Sequence, residues 1–253
     1  MHPVLFKIFG IPVFSYGFFV ALGFLAAWYI VLNEIKRKNL LEKNINDLFW
    51  IIILSAVFGG RLFYVLLNIK YYSGDITAVF KIWEGGLVFY GGLIIAVLAS
   101  VIFLRQRKVK SIFAYGDAIA PGIIIGQAIG RIGCFFAGCC YGHETHGICG
   151  VTFKDPRSLA PIGVSLYPVQ IFESAGDIII FLMLWKLRKH NKFNGYLLCV
   201  YVIMYSVFRF FLEFLRGDDR GMLGVLSMTQ GIGILLFVTA VAVIIYNYAL
   251  GDE

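Results

Sequence analysis

Charged residues are scarce in this 253-residue chain: Lys, Arg, Asp and Glu make up 15% of it, against about 25% in ordinary soluble domains. Hydrophobic residues make up 60%, more apolar surface than water can cover, which excludes a soluble domain and a disordered chain. Six prolines and five cysteines are too few for a collagen-like chain or a disulfide scaffold. The composition therefore predicts an integral membrane protein.

Apolar runs of about 20 residues predict transmembrane helices. We predict seven spans, at Phe14–Leu32, Leu48–Leu67, Leu87–Leu104, Ala118–Phe136, Tyr167–Trp185, Tyr196–Phe214 and Val225–Tyr246. Two long connections, at 68–86 and 137–166, lie on the same side of the predicted membrane. We therefore expect an all-α membrane protein that forms a single polytopic membrane domain over residues 1–253, with a head formed by loops at its outer face.

The net charge of +7 has two explanations, binding of an anionic partner such as nucleic acid or orientation in the membrane. Three connections between spans are rich in basic residues, namely Lys36, Arg37, Lys38, Lys43, Arg105, Arg107, Lys108, Lys110, Lys186, Arg188, Lys189 and Lys192. The opposite side has Lys7, Lys70, Lys81, Lys154, Arg157, Arg216 and Arg220. The positive-inside rule then predicts an extracytoplasmic N-terminus and a cytoplasmic C-terminus, and no nucleic-acid partner.

Ionisable residues also occur in or beside the apolar spans, where a charge that faces lipid costs several kcal/mol. They are Arg61, Arg131, Glu173, Asp177, Arg209 and Glu213. Arg209, Glu213 and Arg216 are spaced by four and three residues and share one helical face. Two explanations stay open: an ion-pair network that fixes helix packing, or an anion site in which Glu213 orients an arginine fork.

Glycine pairs stand near these arginines, at Gly59-Gly60-Arg61, Gly91-Gly92 and Gly130-Arg131-Ile132-Gly133. Close helix packing explains the glycines, since small residues are enriched where membrane helices meet. It does not explain an arginine among them. Irregular backbone at membrane depth is tolerated where it lines a cavity, so we predict a polar pocket, open to the outer leaflet, that holds an anionic headgroup.

Four cysteines follow Arg131, namely Cys134, Cys139, Cys140 and Cys149, with His143 and His146 among them. A zinc site, a disulfide such as Cys140–Cys149 and free thiols are the alternatives. Because the segment has no CxxC pair, we expect free thiols and no metal. Cys199 lies in the middle of a span and is expected to be a small apolar core residue.

Six segments in chain order resemble the prolipoprotein diacylglyceryl transferase family. They are GGRLFYVL around Arg61, Trp83-Glu84-Gly85-Gly86 followed by FYGGL, Asp117-Ala-Ile-Ala-Pro121, GRIGCFFAG around Arg131, YPVQIFES, and YSVFRFFLEFLR. The resemblance runs from Tyr16 to Gln230. No single motif is decisive, but their order on the predicted spans makes the resemblance specific.

The resemblance implies transfer of diacylglycerol from phosphatidylglycerol to the lipobox cysteine of a prolipoprotein, with formation of a thioether and release of glycerol phosphate. This is the first step of bacterial lipoprotein maturation. The implied partners are phosphatidylglycerol, prolipoprotein signal peptides with a lipobox cysteine, and membrane lipids, and no cofactor is implied. The implied location is the bacterial plasma membrane, with a multi-pass chain whose active site is toward the outer face.

The resemblance also implies site residues. Arg131 matches the family's signature arginine, which holds the phospholipid, and Arg209 matches the arginine where the headgroup departs. Tyr16 and Tyr205 match further family site residues, which we expect to be catalytic. The predicted substrate-binding residues are Arg61, Gly91, Gly92, Cys134, Gly142, Gln170, Glu173 and Glu213.

The sequence departs from the family pattern at several positions. Tyr90 stands where the family has a histidine, and with an ordinary pKa of about 10 a tyrosine is a poor base at pH 7. Its hydroxyl can still orient a phosphate oxygen. Cys134 and Ala137 replace family asparagines, and Cys139 replaces a glutamate. His143 is another candidate for the base.

These departures leave open a family paralogue with a different acceptor. A transporter or a lipid-binding membrane protein is the alternative from another class. Transporters are often built from repeated halves with broken helices in corresponding positions, and no internal repeat is visible in the chain. The sequence therefore favours the enzyme.

Overall fold

The protein is described here from a computed structural model that covers residues 2–8, 10–72, 76–82, 85–218, 222–223 and 226–251. Within these ranges the helices are α1 (Ser15–Arg37), α2 (Glu42–Leu67), α3 (Ile69–Tyr72), α4 (Phe89–Gln106), α5 (Ile112–Ala137), α6 (Val169–Leu187), α7 (Tyr196–Leu212) and α8 (Met228–Gly251). Short 3-10 turns occur at Ile76–Phe80 and Glu213–Leu215.

Strands are few and short in the described part of the chain. They form three antiparallel pairs, of β1 (Val4–Ile8) with β2 (Ile11–Phe14), β3 (Val151–Thr152) with β4 (Ser165–Leu166), and β5 (Met222–Leu223) with β6 (Leu226–Ser227). The prediction of an all-α membrane architecture is confirmed, because most of the described chain is helical and no sheet exceeds two strands.

Six of the described helices are long and apolar enough to cross a membrane: α1, α2, α4, α5, α7 with its following 3-10 turn, and α8. The fifth predicted span forms the 19-residue helix α6. Its Gln170, Glu173 and Asp177 are fully buried, and these polar residues interrupt its apolar sequence. The count of seven spans and the outward N-terminus stay predictions. Val225, where the last span was predicted to begin, lies outside the described residues.

The chain forms two compact units, one of Met1–Glu34 with Phe113–Glu253 and the other of Ile35–Ile112. The first unit contains most of α1 together with α5 to α8, and the second contains α2, α3 and α4. The single polytopic domain inferred from the sequence stays a prediction.

In the second unit, α2 and α4 cross with their backbones in close approach. A Cβ on Gly59 would lie 2.6 Å from the Gly91 carbonyl oxygen, and a Cβ on Gly92 would lie 2.7 Å from that of Ala56. A side chain cannot fit at such distances. Helix packing therefore explains these glycines, and the predicted part of Gly91 and Gly92 in substrate binding stays a prediction.

In the first unit, α5 packs against α1 and against the α6–α7 pair. A Cβ on Gly23 of α1 would lie 2.6 Å from the Gly126 carbonyl oxygen. On the other side, the apolar cluster is built from Ile124, Ile180, Leu184 and Leu197. Asp117 of α5 is fully buried and caps α7, because its carboxylate accepts hydrogen bonds from the backbone N–H groups of Gly195 and Leu198, both at 3.0 Å.

The connection between α5 and α6 runs back over the ends of three helices. The Gly142 N–H donates to the Tyr167 carbonyl at 3.0 Å, just before α6. The His143 N–H donates to Leu215 at 3.0 Å, and the Gly217 N–H donates to Tyr141 at 3.1 Å. These bonds bring the end of α5, the start of α6 and the end of α7 to one place.

Candidate functional site

Glu173 of α6 is the centre of a group of arginines. Its side chain is fully buried. Glu173 Oε1 lies 2.8 Å from Arg131 Nη2 and 4.0 Å from Arg209 Nε, and Glu173 Oε2 lies 3.6 Å from Arg216 Nη1. We call Arg131, Arg209 and Arg216 around Glu173 the arginine cluster. Its members come from α5, α6, α7 and the turn after α7.

Two further carboxylates balance the charge of the cluster. Glu213 Oε2 lies 2.5 Å from Arg209 Nη2, which confirms the pairing expected from their spacing of four residues. Asp218 accepts two hydrogen bonds of 2.8 Å from Arg216, through Nε and Nη2. Buried charges are tolerated when they are paired in this way.

The cluster keeps capacity for an anionic ligand. Arg209 Nη1 is buried and has no hydrogen-bond partner among the described residues. The Arg131 side chain is 19% exposed, against 7% for Arg209 and 2% for Arg216, so Arg131 is the most accessible of the three. Guanidinium groups bind phosphate oxygens through parallel N–H donors. The arrangement can therefore hold a phosphate between Arg131 and Arg209.

Tyr205 of α7 lies at the same site. Gln127 Nε2 of α5 donates at 3.0 Å both to the Tyr205 hydroxyl and to Asp177 Oδ2. Tyr205 also interacts electrostatically with Glu173 and Arg131. This chain of polar groups holds the Tyr205 hydroxyl beside the cluster.

Tyr16 stands in the first turn of α1 and is half exposed. A Cβ on Gly133 would lie 3.3 Å from Tyr16 Cα, so α1 begins directly against the last turns of α5. Tyr16 interacts electrostatically with Cys134 and Arg131. The structure therefore brings together Tyr16, Arg131, Tyr205, Arg209, Glu173 and Glu213. Their parts in catalysis and substrate binding stay predictions.

The chain after α5 forms a tight turn that gathers three thiols. The Sγ atoms of Cys134, Cys139 and Cys140 all lie within 4.8 Å of one another. Hydrogen bonds from the Cys134 and Cys139 thiols, together with the nearby positive charge of Arg216, lower the pKa of the Cys140 thiol. None of the five cysteines forms a disulfide in this structure, so the Cys140–Cys149 bond is absent here.

Gln170 and Gly142 support this turn from the α6 side. Gln170 Nε2 donates a 2.7 Å hydrogen bond to the Cys139 carbonyl oxygen. A Cβ on Gly142 would lie 2.6 Å from the Leu215 carbonyl oxygen, so only glycine fits between the two segments. In this structure both residues position backbone, and their predicted contact with substrate stays a prediction.

Arg61 lies in the second unit, where its guanidinium holds the segment before α4. Nε donates to Val79 at 2.8 Å, Nη2 to Ala78 at 2.7 Å and Nη1 to Gly85 at 2.8 Å, all at backbone carbonyl oxygens. The same group lies over the Tyr72 ring, 5.5 Å from its centroid. These contacts commit Arg61 to the fold of the second unit, and its predicted binding of substrate stays a prediction.

Tyr90, at the position of the family histidine, is the second residue of α4 and is half buried. Its ring packs edge-on against Phe89. The neighbouring Trp83 and Glu84 of the same motif lie outside the described residues. His143, the other candidate for the base, is exposed.

The sequence groups Arg216 with Arg209 and Glu213 by its spacing but does not include it among the predicted site residues. In the structure the Arg216 side chain is almost fully buried and lies against Glu173. Sequence reasoning missed one residue of the site. Gln127 had no comparable signal, because a single glutamine in an apolar span shows nothing of its partners on α6 and α7.

Known proteins resemble the chain along almost its whole length. The family model described as prolipoprotein diacylglyceryl transferase matches residues 3–246. Phosphatidylglycerol–prolipoprotein diacylglyceryl transferase 2 of Clostridium perfringens is 36% identical over 247 residues, which cover 98% of this chain and 95% of that protein. Phosphatidylglycerol–prolipoprotein diacylglyceryl transferase of Clostridium tetani is 36% identical, and the match covers 98% of this chain and 97% of that protein. The protein of the same name from Finegoldia magna is 34% identical, and the match covers 95% of this chain and 94% of that protein.

Proposed function

The chain belongs to the prolipoprotein diacylglyceryl transferase family, and we propose that it transfers the diacylglyceryl group of phosphatidylglycerol to the lipobox cysteine of lipoprotein precursors. It is a transferase of the first step of lipoprotein maturation, as the names of its relatives indicate. The product is a thioether on the cysteine, and glycerol phosphate is released.

The arginine cluster is the observation that carries this proposal. Phosphatidylglycerol has one negative charge on its phosphodiester, and the buried Nη1 of Arg209 lacks a hydrogen-bond partner among the described residues. Arg131 is paired through one nitrogen to Glu173 and is partly exposed. Two guanidinium groups with unused donors suit a phosphate that has non-bridging oxygens on both sides.

The reaction develops negative charge at that phosphate. The acceptor thiolate attacks the glycerol carbon that bears the phosphoester, a C–S bond forms, and the C–O bond breaks with its electron pair on oxygen. The phosphate passes from one negative charge to two, because glycerol phosphate leaves as a monoester dianion. Arg131 and Arg209 stabilise this charge where it appears. Glu173 acts as a positioning residue, because its Oε1 lies 2.8 Å from Arg131 Nη2 and 4.0 Å from Arg209 Nε and so holds both guanidinium groups.

The tyrosines of the site have separate places in this proposal. The Tyr205 hydroxyl, held by Gln127 at 3.0 Å, is oriented to hydrogen-bond a phosphate oxygen. Tyr16 is half exposed at the start of α1 and lies beside Arg131, where we expect it to line the entry of the acceptor peptide.

The chain is a multi-pass membrane protein with bacterial relatives. We propose that it lies in the bacterial plasma membrane with the arginine cluster toward the outer face. The support is the charge pattern, since the basic connections 36–43, 105–110 and 186–192 are expected in the cytoplasm. The opposite side is where exported precursors present their cysteine.

The test is a transfer assay with the purified full chain. Detergent-solubilised protein is incubated with phosphatidylglycerol and a lipobox peptide, and mass spectrometry follows the diacylglyceryl thioether. A peptide with serine in place of cysteine is the control for the acceptor atom. The expected product appears only with the cysteine peptide. Absence of product with intact phosphatidylglycerol binding would contradict the proposal and favour a different acceptor.

A further inference from the structure

We propose that Cys134, Cys139 and Cys140 together bind a zinc ion, whose fourth coordination position takes the acceptor thiol. This inference rests on the proposed function for the identity of the fourth ligand. It differs from the family resemblance, which implies no cofactor. The site lies at the end of α5, beside the arginine cluster.

The sulfur geometry suits one ion. The three Sγ atoms lie within 4.8 Å of one another. Zinc binds thiolate sulfur at about 2.3 Å, so two thiolates on one tetrahedral ion are separated by about 3.8 Å. Small side-chain rotations bring the sulfurs to that spacing. In the part of the chain that the structure describes, this is the group of three His, Cys, Asp or Glu ligand atoms that converges closely enough to hold a metal.

The backbone is shaped to make the sulfurs converge. Cys134 is in the last turn of α5, and the chain then reverses through Gly138, with φ of +80°, and Cys140, with φ of +62°. A left-handed conformation is unfavourable for a residue with a Cβ such as Cys140. The Gln170 amide holds the Cys139 carbonyl at 2.7 Å and so fixes the turn from α6. The fold maintains this turn despite the unfavourable backbone conformation of Cys140. The turn brings the thiols of Cys139 and Cys140 close to the thiol of Cys134.

Positive charge surrounds the thiols. Three thiolates and one zinc ion have a net charge of −1, which needs compensation in a buried place. The Arg216 guanidinium hydrogen-bonds to Cys140, and Arg131 interacts electrostatically with Cys134 and Cys140. The bridge between Gly142 and Arg216 keeps Arg216 in this position. The positive charges of Arg131 and Arg216 therefore stabilise a zinc–thiolate centre with a net charge of −1.

A fourth protein ligand is not part of this group. His143, His146 and Cys149 are exposed, and their ligand atoms do not belong to the converging set. Zinc sites with three protein ligands keep a position for water or substrate.

A thiol that binds such an ion loses its proton, here to water. The zinc-bound thiolate then attacks the glycerol carbon, glycerol phosphate leaves with the electron pair of the C–O bond, and the thioether product dissociates from the ion.

Metal analysis of the wild-type full chain is the first test and requires no variant. We expect one zinc per chain and an X-ray absorption spectrum with three sulfur neighbours at about 2.3 Å. Cys134→Ser, Cys139→Ser and Cys140→Ser should each weaken zinc binding roughly tenfold or more. The matched control is Cys149→Ser, which should bind as the wild type does. Wild-type protein that takes up no zinc, or a disulfide among the three cysteines, would overturn the inference.

Cobalt spectroscopy tests the open position. Cobalt-loaded wild-type protein is titrated with a lipobox peptide in the absence of phospholipid, so that no turnover occurs. We expect the sulfur-to-cobalt charge-transfer band to grow with the cysteine peptide and to stay unchanged with the serine peptide. An identical response to both peptides would show that the acceptor thiol does not reach the metal, and the inference would be wrong.

Failure of this inference can be told apart from failure of the proposed function. If metal-free protein forms the thioether as fast as zinc-loaded protein, the transferase function stands and the metal inference fails. If the cobalt spectrum responds to the cysteine peptide but no thioether forms with phosphatidylglycerol, the metal site stands and the proposed function fails. Loss of turnover on chelation, with recovery on addition of zinc, supports both.

Discussion

At the scale of single residues, the site depends on how each guanidinium is shared between protein and ligand. Arg209 pairs with Glu213 through Nη2 and approaches Glu173 through Nε, while Nη1 has no hydrogen-bond partner among the described residues. The two carboxylates hold the guanidinium plane, and the remaining nitrogen is left for a ligand.

Replacement of this group should remove most of the turnover. Arg209→Ala is expected to lower kcat by roughly a hundredfold or more, because one preorganised donor to a developing anion contributes that much in other enzymes. Arg209→Lys keeps the charge and loses the fork, so an intermediate rate is expected. The thioether assay measures both variants, with the exposed Arg157→Ala as the control. Full activity in Arg209→Ala would show that this arginine only packs.

Glu173 is the residue on which the fold of the cluster depends. Its removal leaves the two buried arginines, Arg209 and Arg216, and the partly exposed Arg131 without the carboxylate that they share. Glu173→Ala should lower the free energy of unfolding by about 3–5 kcal/mol, the range for breaking a buried ion pair. Thermal unfolding in detergent measures the change, and the exposed Glu144→Ala is the comparison. Equal unfolding temperatures for the two variants would contradict a structural part for Glu173.

At the scale of helices, close packing decides where glycine is required. The α2–α4 pair meets where a Cβ on Gly92 would lie 2.7 Å from the Ala56 carbonyl oxygen. That oxygen belongs to backbone and cannot rotate away. In α8, a Cβ on Gly231 would meet nothing within 4 Å.

These two glycines form a matched pair for a test. Gly92→Ala should destabilise the protein by about 1–3 kcal/mol, as overpacking does. Gly231→Ala should leave stability unchanged or raise it slightly, because alanine favours helix more than glycine does. Unfolding temperatures of the two variants check this. A Gly92→Ala protein of normal stability and impaired phospholipid binding would instead support the predicted part of Gly92 in binding.

At the scale of the whole molecule, orientation in the membrane follows from charge. The basic connections are expected inside and the segment 137–166 outside. Cys149 and Lys189 are both exposed and belong to opposite predicted sides. A membrane-impermeant thiol reagent applied to intact cells should label Cys149 and lose that label in Cys149→Ser.

The predicted cytoplasmic side of the membrane is tested with a second change made in the Cys149→Ser protein. A Lys189→Cys change in the Cys149→Ser protein should be labelled only after the cells are made permeable. Labelling of that position in intact cells would reverse the predicted topology and contradict the outward site.

The sequence by itself determined the membrane class, the helical architecture and the pairing of Arg209 with Glu213. Hydropathy, basic loops and a spacing of four residues are properties of neighbours along one chain, and they need no tertiary contact to be visible. Only the tertiary structure decided that Arg216 contacts Glu173, that Gln127 joins the site, that Arg61 anchors backbone, and that three cysteine sulfurs converge. These features arise where helices distant in sequence meet, and a linear pattern does not specify which side chains share a contact there.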